Sequence, residues 1–156
     1  MRYPIGIQTF EDICNGGYVY VDKTRQIFEL AHGSGKYYFL SRPRRFGKSL
    51  LISTMDAYFS GRKELFDGLA IADMEKEWTK YPVLRIDFTG TAYMAINDLN
   101  YKLESTLSMY EAKYSCPKTV DGYSTRFENL IREVCQKTGK QVVILIDEYD
   151  KPIVDN

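Results

Sequence analysis

The chain has 156 residues, 44% apolar and 27% charged, which are the proportions of an ordinary globular domain able to fold without a disulfide or metal staple. Basic and acidic residues balance at 21 each, so no globally basic surface is expected and nucleic acid is not indicated as a partner. Three cysteines at unrelated spacings and a single histidine draw neither a disulfide framework nor a metal cluster, which predicts reduced thiols in a soluble, cytoplasmic protein.

No apolar run exceeds five residues, and no apolar core follows Met1-Arg2-Tyr3-Pro4, so neither a membrane span nor a secretory signal is expected. In chain order, Tyr18-Val19-Tyr20-Val21 is β-prone and ends at Asp22. A helix to His32 should follow, with Ile27, Leu30 and Ala31 on one face and Gly33 as its stop. Tyr37-Tyr38-Phe39-Leu40 reads as a short buried strand, because aromatic and apolar residues fill it without alternation. Leu51, Ile52, Met55 and Phe59 then place a helix over 48–60, ended by Gly61.

A short helical excursion around Trp78 is expected within residues 62–80, and Pro82 opens a second buried strand over 83–88. The clearest helix carries Ile96, Leu99, Leu103, Leu107, Tyr110 and Tyr114 at steps of 3 or 4, with Pro117 just beyond it. Thr125 and Glu128 form a capping-box pattern for a further helix burying Phe127, Leu130, Ile131, Val134 and Cys135 and stopping at Gly139. Val142 to Ile146 is the third buried strand. The alternation predicts an α/β fold built on a parallel sheet flanked by helices.

Two segments carry chemistry. Gly47-Lys48-Ser49 is the second half of a phosphate-binding loop, G-x-x-x-x-G-K-[ST]. Such a loop needs a strand before it and a helix after it, so that backbone N–H groups and the positive helix end converge on an anion. Residues 37–40 and 48–60 are expected to supply them. There Gly47 lets the backbone approach phosphate, Lys48 reaches the β- and γ-phosphates, and the Ser49 hydroxyl becomes a magnesium ligand. The motif asks for Gly at position 42, where this chain has Arg, followed by Pro43, so the loop turns by another backbone path. Arg42, Arg44 and Arg45 add positive charge for phosphate or a partner acid.

Ile146-Asp147-Glu148 closes the last apolar strand in the Walker B pattern, at the end of a parallel strand where such sheets bind ligands. Asp147 is expected in the magnesium shell, mostly through water, and Glu148 is expected to orient or deprotonate the attacking water. An acid after the Asp suits a hydrolytic ATPase with an added strand better than a kinase or GTPase. Asp22 reads as a helix cap, Lys23 and Thr24 as alternatives beside the adenine, Asp87 as a strand-end acid near the crevice, and His32 as a capping or surface residue.

Tyr20-Val21-Asp22-Lys23-Thr24, then Arg42-Pro43-Arg44-Arg45-Phe46-Gly47-Lys48-Ser49, Pro82-Val83, Asp87-Phe88 and Asp147-Glu148-Tyr149-Asp150-Lys151-Pro152 occur in this order. Together they resemble the bacterial AAA-ATPase-like family, in which RPRRFGKS stands in place of a regular Walker A, over residues 5 to 156. The resemblance implies a P-loop NTPase fold of three αβα layers, with ATP and Mg2+ as cofactors. It assigns the nucleotide to Arg44, Arg45, Phe46, Gly47, Lys48, Ser49 and Leu50, the metal to Ser49 and Asp147, and catalysis to Lys48 and Glu148. It also implies a signalling-type rather than motor-type ATPase, in a family whose members often carry a C-terminal PD-(D/E)XK nuclease-like domain.

Asn156 lies eight residues after Glu148, ahead of the strand that such ATPases insert between the two motif-bearing strands. The expectation is therefore the N-terminal portion of one P-loop domain over 1–156, with either direct pairing of those strands or an open edge inviting a homo-oligomer. Two functions are in view: a magnesium-dependent ATPase, or a nucleotide-gated scaffold module with negligible hydrolysis.

Overall fold

The computed structural model describes residues 2–41, 47–90, 95–119 and 122–154, with side chains to Pro152. The chain packs as two compact units, Met1–Lys80 and Tyr81–Asn156.

The first unit is helical. It contains α1 (Phe10–Asn15), α2 (Thr24–Ala31), α3 (Lys48–Phe59), a 3₁₀ turn at Lys63–Phe66 and α4 (Ala70–Met74). Phe10, Ile27, Tyr58, Leu65, Phe66 and Ile71 form its buried core. Rings meet edge-on or tilted across it, Phe10 on Phe66 at 4.9 Å and Phe66 on Trp78 at 5.2 Å. Helices α2 and α3 fall where the apolar spacing placed them. On α3, however, the most buried residues are Ser53, Thr54 and Tyr58, with Leu51 and Met55 packed partly buried against the core. The polar pair is admitted because each hydroxyl has a partner: the Ser53 Oγ accepts the Phe10 N–H, and Thr54 donates to the Leu50 carbonyl.

Three expectations in this unit are corrected. Tyr18–Val21 forms no strand; its contribution is an isolated parallel bridge from Tyr18 to Arg2. Tyr37–Leu40 is not a buried strand either: it is irregular, with Tyr37 95% and Phe39 71% exposed. A strand exists only within a ladder, and no described segment pairs with 37–40. The helical turns of 62–80 lie at 63–66 and 70–74, while Trp78 sits in an irregular stretch with φ +45°.

The second unit holds the sheet. β1 (Val83–Asp87) leads through α5 (Ile96–Lys113) and α6 (Tyr123–Thr138) to β2 (Val143–Asp147), and the short α7 (Lys151–Val154) follows. β1 and β2 pair in parallel, Val83 beside Val143 through to Asp87 beside Asp147. Leu84, Leu107, Tyr110, Leu130 and Val134 form the core between the strands and the helices. The structure is thus α/β, with a two-stranded parallel sheet flanked by helices, and fits part of an αβα domain.

The strand edges differ. The Val143 N–H bonds the Pro82 carbonyl and the Phe88 N–H bonds the Asp147 carbonyl, so the peptide groups of Arg85 face away from β2. The Tyr110 hydroxyl accepts the Arg85 N–H at 2.7 Å and donates to the Arg85 carbonyl at 3.0 Å, closing that edge at mid-strand. On β2, Ile144 and Ile146 are 38% and 45% exposed, so this strand is not buried on both faces as its composition suggests.

In α6 the Thr125–Glu128 capping box does not form. The helix starts earlier, at Tyr123, behind Gly122. Its Cys135 is exposed, and the buried face carries Arg126 instead, 3% exposed. Arg126 bonds Glu111 through Nε at 3.0 Å and Nη2 at 2.8 Å, and Glu104 through Nη1 at 2.5 Å. A buried guanidinium is tolerable when carboxylates take its donors in this way. Gly139 ends the helix as expected, at φ +65°.

Candidate functional site

In the first unit, Gly47 takes the left-handed conformation, φ +73°, as the N-cap of α3. A Cβ there would meet nothing within 4 Å, so backbone conformation rather than crowding calls for glycine. Lys48, Ser49 and Leu50 form the first turn of α3, all half-buried. Gly47 has no side chain to cap this end and no acidic residue lies in the first turn, so among the described residues the positive end of the helix is left uncompensated. The helix that a phosphate loop requires is present; the preceding strand is not. Arg44, Arg45 and Phe46, with Arg42 and Pro43, lie outside the described residues.

The Asp22 reading as a cap is upheld and extended. Its Oδ1 accepts the Thr24 N–H at 2.8 Å and the Thr24 hydroxyl at 2.7 Å, and its Oδ2 accepts the Ala70 N–H at 2.7 Å. The Thr24 hydroxyl also accepts the Ile71 N–H. One carboxylate therefore starts both α2 and α4. Burial pushes its pKa up, but these donors from Ala70 and Thr24 outweigh it and hold it below the usual carboxylate range. Thr24 is fully buried with its hydroxyl engaged, which removes it as an adenine contact. The Asp-x-Thr spacing ahead of an apolar run was the sequence signal for this device. His32 caps α2, its Nδ1 3.0 Å from the Phe28 carbonyl and its Nε2 3.7 Å from the buried Glu75.

In the second unit, Asp147 ends β2 at 2% exposure, and its Oδ2 is buried without a hydrogen-bond partner. Glu148 follows with φ +52°, a left-handed conformation that costs a non-glycine residue about 1–3 kcal/mol and turns the chain sharply after the strand. The Lys151 N–H closes the turn onto the Glu148 carbonyl, and the Oδ1 of Asp150 is a second buried, unpartnered carboxylate oxygen. Asp87, at the same level on β1, accepts the Thr89 N–H at 2.8 Å. Sequence reasoning had Asp87 near the crevice, but its register with Asp147 emerges only from the pairing.

These groups are hard oxygen donors, and a buried carboxylate oxygen without a donor fits a cation such as magnesium. Among the described residues no three His, Cys, Asp or Glu side chains are arranged to hold a metal, so any cation here keeps much of its water. No described helix is long and apolar enough to cross a membrane.

Residues 4–156 match a family model described as a predicted AAA-ATPase. A protein of Azotobacter chroococcum mcd 1, "Uncharacterized protein in vnfD 5'region", is 44% identical over 156 residues, covering 99% of this chain. The chain spans about 30% of that relative's length. No solved structure gives a significant match.

Proposed function

Because this chain belongs to the AAA-ATPase-like family, we propose that it forms the N-terminal portion of one P-loop NTPase domain, which binds magnesium–ATP and hydrolyses it in a regulatory role. The observation that carries this reading is Asp147: a carboxylate at the tip of a parallel strand, buried with an oxygen that no group among the described residues satisfies. The start of α3 supports it, with Gly47 left-handed and Lys48 and Ser49 in a first turn that carries no acidic residue.

In this reading the backbone N–H groups at the start of α3 would bind the phosphates, and Lys48 would place a point charge on the β- and γ-phosphates. The Ser49 hydroxyl and the Asp147 carboxylate would be the groups to hold magnesium, which would supply positive charge to offset the negative charge of the phosphate oxygens. Glu148 orients the attacking water and takes its proton. The family resemblance extends the nucleotide contacts to Arg44, Arg45, Phe46 and Leu50.

Thermal unfolding with and without saturating MgATP, beside Lys48→Ala, tests the reading. At about 100 times its dissociation constant a ligand stabilises the native state by about 2.7 kcal/mol. For a chain of this size that raises the midpoint by about 5–10 °C. The shift is expected in wild type and absent in Lys48→Ala; its absence in both overturns the proposal. Glu148→Gln keeps the shift and loses phosphate release.

A second reading is a nucleotide-gated scaffold, in which occupancy sets assembly and hydrolysis is negligible. The exposed Ile144 and Ile146 on β2 favour it. Sedimentation with and without MgATP separates the two, since only the scaffold changes oligomeric state without releasing phosphate.

A further inference from the structure

We infer that Asp87 and Asp147 together form a seat for one divalent cation at the C-terminal tip of the β1–β2 sheet, Asp147 as the buried anchor and Asp87 as its positioning partner. The inference deepens the nucleotide reading and rests on it for the identity of the cation as magnesium; the seat itself is built within residues 81–156.

Adjacent strands run about 4.8 Å apart, and residues in parallel register present their side chains to the same face. Asp87 and Asp147 are such a pair, the last of the ladder. Two carboxylates so placed repel each other, and the repulsion is felt most where solvent is excluded, as it is at Asp147, 2% exposed. Among the described residues, no ion pair relieves it. Arg85 shares this face two residues back toward the N-terminal end of β1, and no described cationic side chain forms an ion pair with either acid.

The buried Oδ2 of Asp147 has no hydrogen-bond donor. A group in that state needs a proton, a water or a cation. Asp87 is suited to a cation carrying water. Its Oδ1 is fixed by the Thr89 N–H at 2.8 Å, and the residue is half-buried, with one side toward solvent. The fixed oxygen sets the direction of the carboxylate, and Oδ2 remains for water on the ion. The absence of a third carboxylate or imidazole among the described residues favours magnesium or manganese, which retain bound water, over zinc or calcium held in a protein cage.

Manganese titration of the protein without nucleotide, followed by loss of the free-ion EPR signal, tests the seat. Asp87→Asn is isosteric and its amide oxygen still accepts the Thr89 N–H, so the turn survives while the charge is removed. Wild type is expected to bind one Mn2+, Asp87→Asn to bind about 10-fold more weakly, and Asp147→Asn to lose the site, all with unchanged far-UV circular dichroism. Equal affinity in wild type and Asp87→Asn, or no binding in wild type at millimolar Mn2+, overturns the inference even where MgATP stabilises the protein through Lys48. Asp87-dependent manganese binding without any MgATP-induced thermal shift leaves the seat standing and overturns the nucleotide reading instead.

Discussion

Each unit ties two helices together with one polar keystone, and the two are built with opposite chemistry. In residues 1–80, Asp22 serves α2 and α4 through backbone N–H groups, with the Thr24 hydroxyl as relay. In residues 81–156, Arg126 serves α5 and α6 through side chains, the carboxylates of Glu104 and Glu111 and the hydroxyl of Ser108. Backbone donors at a helix start are present whatever residues surround them, so the Asp22 device needs little more than its own position. The Arg126 device needs several side chains, and each is harmful if the others are missing. The first is cheap to keep and mild to lose, and the second is the reverse.

The sharpest way to break this contrast is Arg126→Ala. It strands Glu111, 5% exposed, as a buried charge without its partner, and is expected to cost about 3–5 kcal/mol. Replacing Arg126, Glu104 and Glu111 together with apolar residues of similar volume should restore most of that loss, because the penalty is the orphaned charge and not the lost bonds. Urea unfolding reads both. Trp78, the only tryptophan, lies in the first unit, so its fluorescence reports there while far-UV circular dichroism reports the whole chain. Arg126→Ala should move the dichroism transition to lower urea and leave the Trp78 transition in place. Coincident movement of the two would show that the units unfold as one.

Asp22→Ala is the milder counterpart. It removes the acceptor for the first N–H groups of two helices, for an expected cost of about 1–2 kcal/mol. This time the Trp78 transition should move. A cost as large as that of Arg126→Ala would remove the distinction between the two keystones.

The contrast also explains what the sequence could and could not disclose. Asp22 ahead of Thr24 and an apolar run is a local pattern, and so is Gly47-Lys48-Ser49 before a helix; both were legible because the interacting groups lie within a few residues. The helices at 24–31, 48–59 and 96–113 were legible for the same reason, through their spacing. Arg126 was not, because a charged residue at a core position of α6 looks like an error in the pattern until Glu104 and Glu111 arrive from α5. Tyr37–Leu40 failed in the other direction. Its composition is that of a buried strand, but strand formation depends on a partner that composition does not specify, and here none of the described segments provides one. Asp147 and Glu148 were singled out as candidates by the apolar run before them. The pairing of Asp147 with Asp87 depends on register, which follows from how the α5–α6 connection brings β2 beside β1.

The smallest expected effect is in acid, and it bears on the same comparison. Hydrogen bonds from Lys118 and then Arg126 lower the Glu104 carboxyl from its ordinary 4.5 to about 2. A carboxylate whose folded-state pKa is depressed adds stability that is fully present above the unfolded value. That stability is lost as pH falls from about 4.5 through about 2. Glu104 is more than one-third exposed, so solvent screening keeps the contribution small. Glu104→Gln should therefore lower stability slightly at neutral pH and flatten the acid dependence of the dichroism-monitored urea midpoint across that interval. Asp22 is also held below the usual range, by the Ala70 and Thr24 donors, so wild type should lose stability by both probes as pH falls. Salt distinguishes the two keystones: the Glu104 contribution comes from ion pairs and fades as ionic strength rises, whereas the Asp22 contribution comes from backbone N–H groups and changes little. A midpoint monitored at Trp78 that tracks salt as strongly as the dichroism midpoint would mean that the first unit, too, leans on its surface ion pairs, Arg62 with Glu11 and Glu64 foremost.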